Sequence, residues 1–208
     1  ARETALSSLQ WTDRLWDGRV GMIWSPPNEF SSRTGAPARR HLVRETSWYA
    51  AGLLLRNQPG DKDRAIQAID AVLNQQIDEP DQPYHGTFYR APEEPHPPAR
   101  YAQMFVQYDP NWRSFIGTTF ALILDEYSGR LPESLRKRML ASIALSVEGE
   151  VREGRLKPTY TNIALMHGFL MTWAGQRLQK PEWVASGERF CNVIFGEFSK
   201  HGTFWEYN

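Results

Sequence analysis

The sequence lacks the features that would place it in several common protein classes. Its 208 residues contain one cysteine, Cys191, which excludes an internal disulfide and a cysteine-rich zinc site. Basic and acidic residues number 24 each, and the resulting net charge of zero argues against a nucleic-acid partner. The short motifs of dinucleotide, P-loop, zinc-protease and serine-hydrolase sites are missing. What remains is a globular chain that is 41% apolar.

Long hydrophobic runs are also missing. Residues 1–11 lack the apolar run of a signal peptide. The longest stretch free of charged residues is 158–176, and its apolar part is too short to span a bilayer. The five histidines show no close metal-ligand spacing. We therefore expect a soluble protein with no membrane partner, metal or cofactor, while its compartment stays open.

Aromatic residues, in contrast, are abundant. They make up 12% of the chain and include eight tryptophans. Buried tryptophan and tyrosine need a polar partner for the N–H or O–H group, so they favour boundaries between apolar and wet regions. A core of large helices and a cleft that stacks flat ligands both fit this composition.

The strongest pattern is an alternation between two kinds of helix. Three segments are apolar nearly all round and predict buried inner helices, and three are amphipathic and predict outer helices with one wet face. The inner helices are predicted over residues 42–56, 111–127 and 160–177, and the outer helices over 61–77, 132–151 and 181–200.

Short connections join each inner helix to the outer helix that follows it. The sequence thus predicts an all-α fold of three helical hairpins over residues 41–208, preceded by an N-terminal helix and loop over 1–40. An inner ring with an outer ring behind it is an (α/α) toroid, which needs five to seven hairpins to close. We therefore expect an incomplete ring, the N-terminal half of a toroid that a longer polypeptide, a second polypeptide or another copy of the chain completes. The alternative is an open solenoid arc with an apolar concave face.

Two further features interrupt or repeat the pattern. The tetrapeptide HGTF occurs at 85–88 and again at 201–204, each time after an outer helix, and predicts a turn or short extended segment. Residues 79–108 contain six prolines and predict a long loop, which in a compact domain is usually functional or mobile.

Polar and aromatic side chains collect where the inner helices begin. All inner helices of such a ring run the same way, so their N-terminal ends meet at one mouth, where free N–H groups favour negative charge. The candidate catalytic residues there are Glu45, Asp109, Tyr160 and Glu206. The candidate substrate-binding residues are Tyr49, His85, Asn111, Trp112, Arg113, Asn162, His167 and His201.

This set of residues suits the chemistry of sugars. Paired carboxylates serve as acid and base in glycoside cleavage, while asparagine and arginine bind hydroxyl and carboxylate groups. A tyrosine or histidine base could instead drive β-elimination on a uronic acid. Each residue also has a structural alternative: Asp109 as a helix cap, Glu45 as a partner of the helix dipole, and Arg113 in an ion pair.

The hairpin alternation and the motifs RETSWY, DPNWR and YTN at the inner-helix starts resemble the (α/α) toroid superfamily of six-hairpin glycosidases, polysaccharide lyases and uncharacterised fungal and bacterial relatives. The resemblance implies an enzyme that cleaves glycosidic bonds of an oligosaccharide. Some toroid enzymes, such as linalool dehydratase-isomerase, imply a small apolar or terpenoid substrate instead. A non-catalytic helical scaffold is the third possibility, in which the polar residues at the mouth pair with one another.

Overall fold

The structure is a computed structural model that describes residues 2–25 and 40–204. Most of the described residues are helical. The seven α-helices within them are α1 (Arg2–Asp13), α2 (Val43–Arg56), α3 (Asp61–Leu73), α4 (Trp112–Tyr127), α5 (Glu133–Glu153), α6 (Thr161–Leu178) and α7 (Pro181–His201). A small antiparallel sheet joins β1 (Trp16–Asp17), β2 (Met22–Trp24) and β3 (His41–Leu42) in that order.

The predicted helices are confirmed, with bounds that differ by a few residues. The expectation of an all-α fold is wrong in one respect, because a small sheet is present. Its strands 16–17 and 22–24 lie in the predicted N-terminal helix and loop, and strand 41–42 lies at the predicted start of the first hairpin. The strands are two or three residues long, and residues 26–39, which separate β2 from β3, lie outside the described part of the chain. Such strands are too short to show an alternating pattern.

Three hairpins, α2–α3, α4–α5 and α6–α7, pack one after another. The first helices of the hairpins run parallel, because contacts link them near both ends. Near their starts, the amide of Asn111 before α4 donates to the Tyr160 hydroxyl before α6. Near their ends, the indole N–H of Trp173 on α6 donates to Asp125 on α4. These links place the N-terminal ends of the first helices side by side.

The core lies between the first and second helices of the hairpins. Ile116, Phe120 and Ile123 of α4 are fully buried. On α5 the predicted apolar stripe faces inward, with Met139 and Ile143 fully buried and the basic side chains on the opposite face. The apolar residues that recur at the helical period therefore face one another and form one continuous core.

The first helices are not buried on all sides, contrary to expectation. Each exposes at least one large apolar side chain: Trp48 and Leu55 on α2, Leu122 on α4 and Phe169 on α6. A helix exposes such a face when no further element packs against it. The three helices therefore present a row of accessible apolar side chains.

The first HGTF tetrapeptide fastens the α2–α3 hairpin to the α4–α5 hairpin. Gly86 adopts φ +75°, and an added Cβ atom would lie 2.2 Å from the Leu145 carbonyl oxygen of α5. Arg113 donates from Nε to the His85 carbonyl oxygen at 2.9 Å. Only glycine permits both this backbone conformation and this close approach. The predicted turn is therefore present and serves as a packing element.

Candidate functional site

The structure brings several predicted residues to the starts of the first helices. The Arg44 guanidinium carbon on α2 lies 5.2 Å from the Trp112 ring centre and 5.1 Å from that of Phe115, both on α4. Beyond Trp112, the Asn111–Tyr160 bond continues the row to the start of α6 at 2.7 Å. The predicted grouping of these helix starts is therefore present.

A cleft of about 390 Å³ opens between α1 and α2. Its floor includes Ile23 of β2 and Leu42 of β3, and two half-exposed tryptophans, Trp11 and Trp48, flank it. Among its described lining residues, Glu45 is the sole acidic one. The cleft thus combines aromatic faces with a single carboxylate, as small-molecule sites often do.

One oxygen of Glu45 is held by Arg44, and no described residue donates to the other. Arg44 donates to Oε1 from Nε at 3.0 Å and from Nη2 at 2.5 Å. Oε2 is buried, and no group in the described part of the chain donates to it. A buried carboxylate oxygen without a donor is costly, so Oε2 is an unsatisfied acceptor on a residue that lines the cleft.

Arg44 is itself fixed by aromatic rings on two helices. Its guanidinium carbon lies 4.8 Å from the Trp48 ring centre, in addition to its contacts with Trp112 and Phe115. Cation–π contacts of this kind orient an arginine as well as stabilise it. Trp112, predicted to bind substrate, is buried and contacts Arg44 instead of lining the cleft, and its role stays a prediction.

Tyr49 lines the inner wall of the cleft, but its hydroxyl belongs to a structural network. The hydroxyl donates to Asp13 at 2.5 Å and accepts from Arg64 at 3.0 Å. Burial, followed by the bond to Asp13, raises the pKa of Tyr49 to about 12. Arg56 ties the same Asp13 to Asp61. These bonds argue against a proton-transfer role for Tyr49.

Asp109, Asn111 and Tyr160 pair with one another and with nearby groups. The Asp109 carboxylate accepts the Asn111 backbone N–H at 2.9 Å, a bond that stabilises the turn just before α4 begins. The Asn111 side-chain oxygen accepts from Arg155 at 2.7 Å. Catalytic roles for Asp109 and Tyr160 stay predictions, and these partners favour the structural alternative.

Arg113 forms the centre of a buried ion cluster. It is 1% exposed and donates from Nη1 to Glu153 at 2.6 Å and to Glu150 at 3.2 Å. Arg155 pairs with Glu150 at 3.0 Å. Removing one member of such a cluster leaves a buried charge without its partner, which is strongly destabilising. Arg113 therefore holds hairpins together and lies away from the cleft.

The three predicted histidines lie apart. His167 is buried in α6 against Phe190, and desolvation, followed by the charges of Arg155 and Arg113, lowers its pKa to about 4. His85 is buried and lines a second cavity beside α5, where desolvation lowers its pKa. His201 is exposed at the end of α7. None of them lies among the described residues that line the α1–α2 cleft.

Asn162 and Glu206 are the two remaining candidates. Asn162 is exposed in the first turn of α6 and is not among the described residues that line the cleft. Glu206 falls in residues 205–208, outside the described part of the chain. Both roles stay predictions.

Sequence reasoning missed a histidine between two carboxylates on the sheet. His41 Nδ1 lies 2.5 Å from Glu93 of the proline-rich loop, and Nε2 lies 3.6 Å from Asp17 of β1. The Trp24 ring stacks on the imidazole, with ring centres 3.6 Å apart. The three polar residues are far apart in sequence, so no sequence motif contains them. The cluster ties the loop to the sheet behind the cleft floor.

No group of three metal-binding side chains suitable for an ion occurs within residues 2–25 and 40–204. Within the same ranges, no helix has both the length and the apolar character needed to cross a bilayer.

Comparison with known proteins identifies the family. The chain matches DUF8769, a domain of unknown function, over residues 2–208, and therefore belongs to that family. Neither a curated protein nor a solved structure matches the chain.

Proposed function

We propose that this protein acts on carbohydrate: the α1–α2 cleft binds a sugar ring, and Glu45 is the acid–base residue in cleavage of a glycosidic bond. One observation carries this proposal: Glu45, in a cleft flanked by Trp11 and Trp48, has a buried Oε2 to which no described residue donates. The C–H face of a pyranose stacks on an indole ring, and its hydroxyl groups donate to a carboxylate oxygen.

The cleavage mechanism needs a second group besides Glu45. Glycosidases pair two carboxylates, and the separation between them sets the stereochemical outcome. Asp109 is occupied by a helix-start N–H, so Glu206 is our candidate for the second carboxylate. Ser8 and Thr12 of α1 line the cleft and supply hydroxyl groups for the ligand.

The experiment is a screen of the whole chain against neutral and uronic-acid oligosaccharides, with binding and cleavage measured separately. We expect Glu45→Gln to lower the cleavage rate by at least about 100-fold, because the amide cannot transfer a proton, while binding persists. Trp48→Ala should weaken binding about tenfold, because one stacking face is lost.

Controls separate this mechanism from its alternatives. Glu133→Gln, at an exposed surface position, should leave both readouts unchanged. A loss of cleavage in Asp109→Asn as large as in Glu45→Gln would restore Asp109 as the second carboxylate. Unchanged cleavage in Glu45→Gln would refute the proposal.

A small apolar or terpenoid substrate is the second candidate. The observation that favours it is the aliphatic part of the lining, which includes Leu9, Leu15 and Leu55. A terpene alcohol that binds in the same screen, while every sugar fails, would select this candidate. Failure of both ligand classes would favour the helical scaffold, in which the paired polar groups at the helix starts are purely structural.

We also infer that the three hairpins are an arc of an (α/α) toroid. Parallel first helices and their row of accessible apolar side chains support this arrangement. A second polypeptide or a second copy that completes the ring would cover Leu122 and Phe169, which are half-exposed in the chain alone.

A further inference from the structure

Two aromatic residues at the tip of the proline-rich loop combine strain with exposure. Tyr101 and Phe105 adopt φ +59° and +62°, in the left-handed region that bulky residues rarely enter. Their side chains are nevertheless accessible, with Tyr101 94% exposed and Phe105 52% exposed. A strained residue persists where the surrounding structure fixes it, and such residues concentrate at ligand-binding sites.

Hydrogen bonds hold the loop at Phe105, and Ala102, beside Tyr101, packs on the buried cluster beneath the loop. The Phe105 N–H donates to the Tyr108 carbonyl at 2.7 Å, and the Gln103 N–H donates to the Gln107 side chain at 2.8 Å. Tyr108 in turn packs in a small buried cluster with Ile77 and Tyr84 beneath the loop. The two rings are therefore presented on an anchored loop.

The loop reaches the end of α2 that carries Glu45. Arg90 donates from Nη2 to the Val106 carbonyl at the loop tip, at 2.9 Å. The Arg90 carbonyl accepts the N–H of Val43, the first residue of α2, at 3.2 Å. Glu45 follows Val43 by two residues, so these bonds connect the loop to the end of α2 where Glu45 lines the cleft.

We propose that Tyr101 and Phe105 form an outer binding site for sugar rings of a polysaccharide whose other end occupies the α1–α2 cleft. This inference rests on the proposed function and names its substrate class as a polymer. A single accessible ring face is enough to stack one sugar. A protein hot spot would instead need aromatic anchors in a contiguous, well-packed apolar core.

The test measures affinity against chain length for one oligosaccharide series, in the wild type, Tyr101→Gly and Phe105→Gly. In the wild type, we expect affinity to rise as the oligosaccharide becomes longer. In each variant, the affinity for the long oligosaccharide should be about tenfold lower than in the wild type. The shortest sugar should bind all three proteins equally. Phe195→Ala, which removes an exposed ring from α7, should behave as wild type.

Stability supplies a second readout. Because glycine tolerates positive φ, Tyr101→Gly should raise the unfolding temperature by about 2 °C. A lowered unfolding temperature would show that the ring is structural and would overturn the inference. An unchanged length dependence in both variants would also overturn it, and so would a self-association that the variants abolish.

The outcomes for the two proposals are distinguishable. Short sugars that bind without any gain from chain length refute the outer site alone. If no sugar of any length binds the wild type, the proposed function fails and the outer site fails with it.

Discussion

Arg44 connects two parts of the candidate site through one side chain. Its guanidinium pairs with Oε1 of Glu45 and contacts aromatic rings on both α2 and α4. Arginine suits this position because its planar group can stack and donate together. The orientation of Glu45 therefore depends on the packing of α2 against α4, and Arg44 is a positioning residue for the cleft.

The burial of His167 predicts a pH dependence at the residue scale. Its pKa is about 4 in the folded chain, against 6.5 for the free side chain, because desolvation and the charges of Arg155 and Arg113 oppose protonation. Between these values the unfolded chain binds the proton and the folded chain does not. The free energy of unfolding should therefore fall as the pH drops from 6.5 towards 4, by up to about 3 kcal/mol from this group.

Chemical denaturation across this pH range, in the wild type and in His167→Gln, checks the prediction. The carboxylates titrate in both proteins, so the difference between the two curves isolates the imidazole. The free energy of unfolding of the wild type, relative to that of His167→Gln, should rise from pH 4 to 6.5 by up to about 3 kcal/mol. A difference that does not vary with pH would contradict the assignment.

The sequence predicts the roles of individual residues less well than the positions of the helices, because those roles depend on tertiary contacts. The cleft position of Glu45 follows from its place in the first turn of α2. The ion cluster of Arg113 does not, because its partners Glu150 and Glu153 lie on another helix. Which polar groups pair and which stay open depends on tertiary packing, and neither residue type nor spacing encodes that.

At the scale of elements, the repeated HGTF tetrapeptide shows one motif in two environments. Gly86 and Gly202 share left-handed φ values of +75° and +67°. An added Cβ atom at Gly86 would meet the backbone of α5, whereas nothing lies within 4 Å of one at Gly202 among the described residues. A comparison of the two positions therefore separates the free-energy cost of a left-handed backbone conformation from that of a steric clash.

Substitution of each glycine by alanine should therefore lower the free energy of unfolding by different amounts. Gly202→Ala should lower the free energy of unfolding by about 1 kcal/mol, which is the cost of positive φ. Gly86→Ala should lower it by at least about 3 kcal/mol, because backbone atoms must also move. Urea denaturation of both variants is the measurement. Equal losses would show that the loop does not pack tightly on α5.

Helix positions were predictable, but the sheet was not. Apolar periodicity, proline near the starts of α5 and α7, and short connections define the hairpins in the sequence itself. The loop–sheet ties through His41 and Glu93 join segments far apart in the chain. Such contacts form only after folding brings the segments together.

At the scale of the whole molecule, the hairpins set the first helices parallel, with their starts at one end. That arrangement gathers Arg44, Asn111 and Tyr160 into a row, and the packing of α1 beside α2 adds the cleft. Fold and site are therefore linked through α2, which contributes to the core, the row and the cleft. A ligand that binds in the cleft should therefore perturb α1 and α2 more than any other element.

Tryptophan indole N–H resonances, followed by NMR while an oligosaccharide is added, test the central claim most directly. The account predicts that the signals of Trp11 and Trp48 shift on binding, because both rings flank the cleft. Trp173, whose indole N–H is held by Asp125, should stay in place as an internal reference. Binding that shifts other tryptophans while Trp11 and Trp48 remain unchanged would contradict the account.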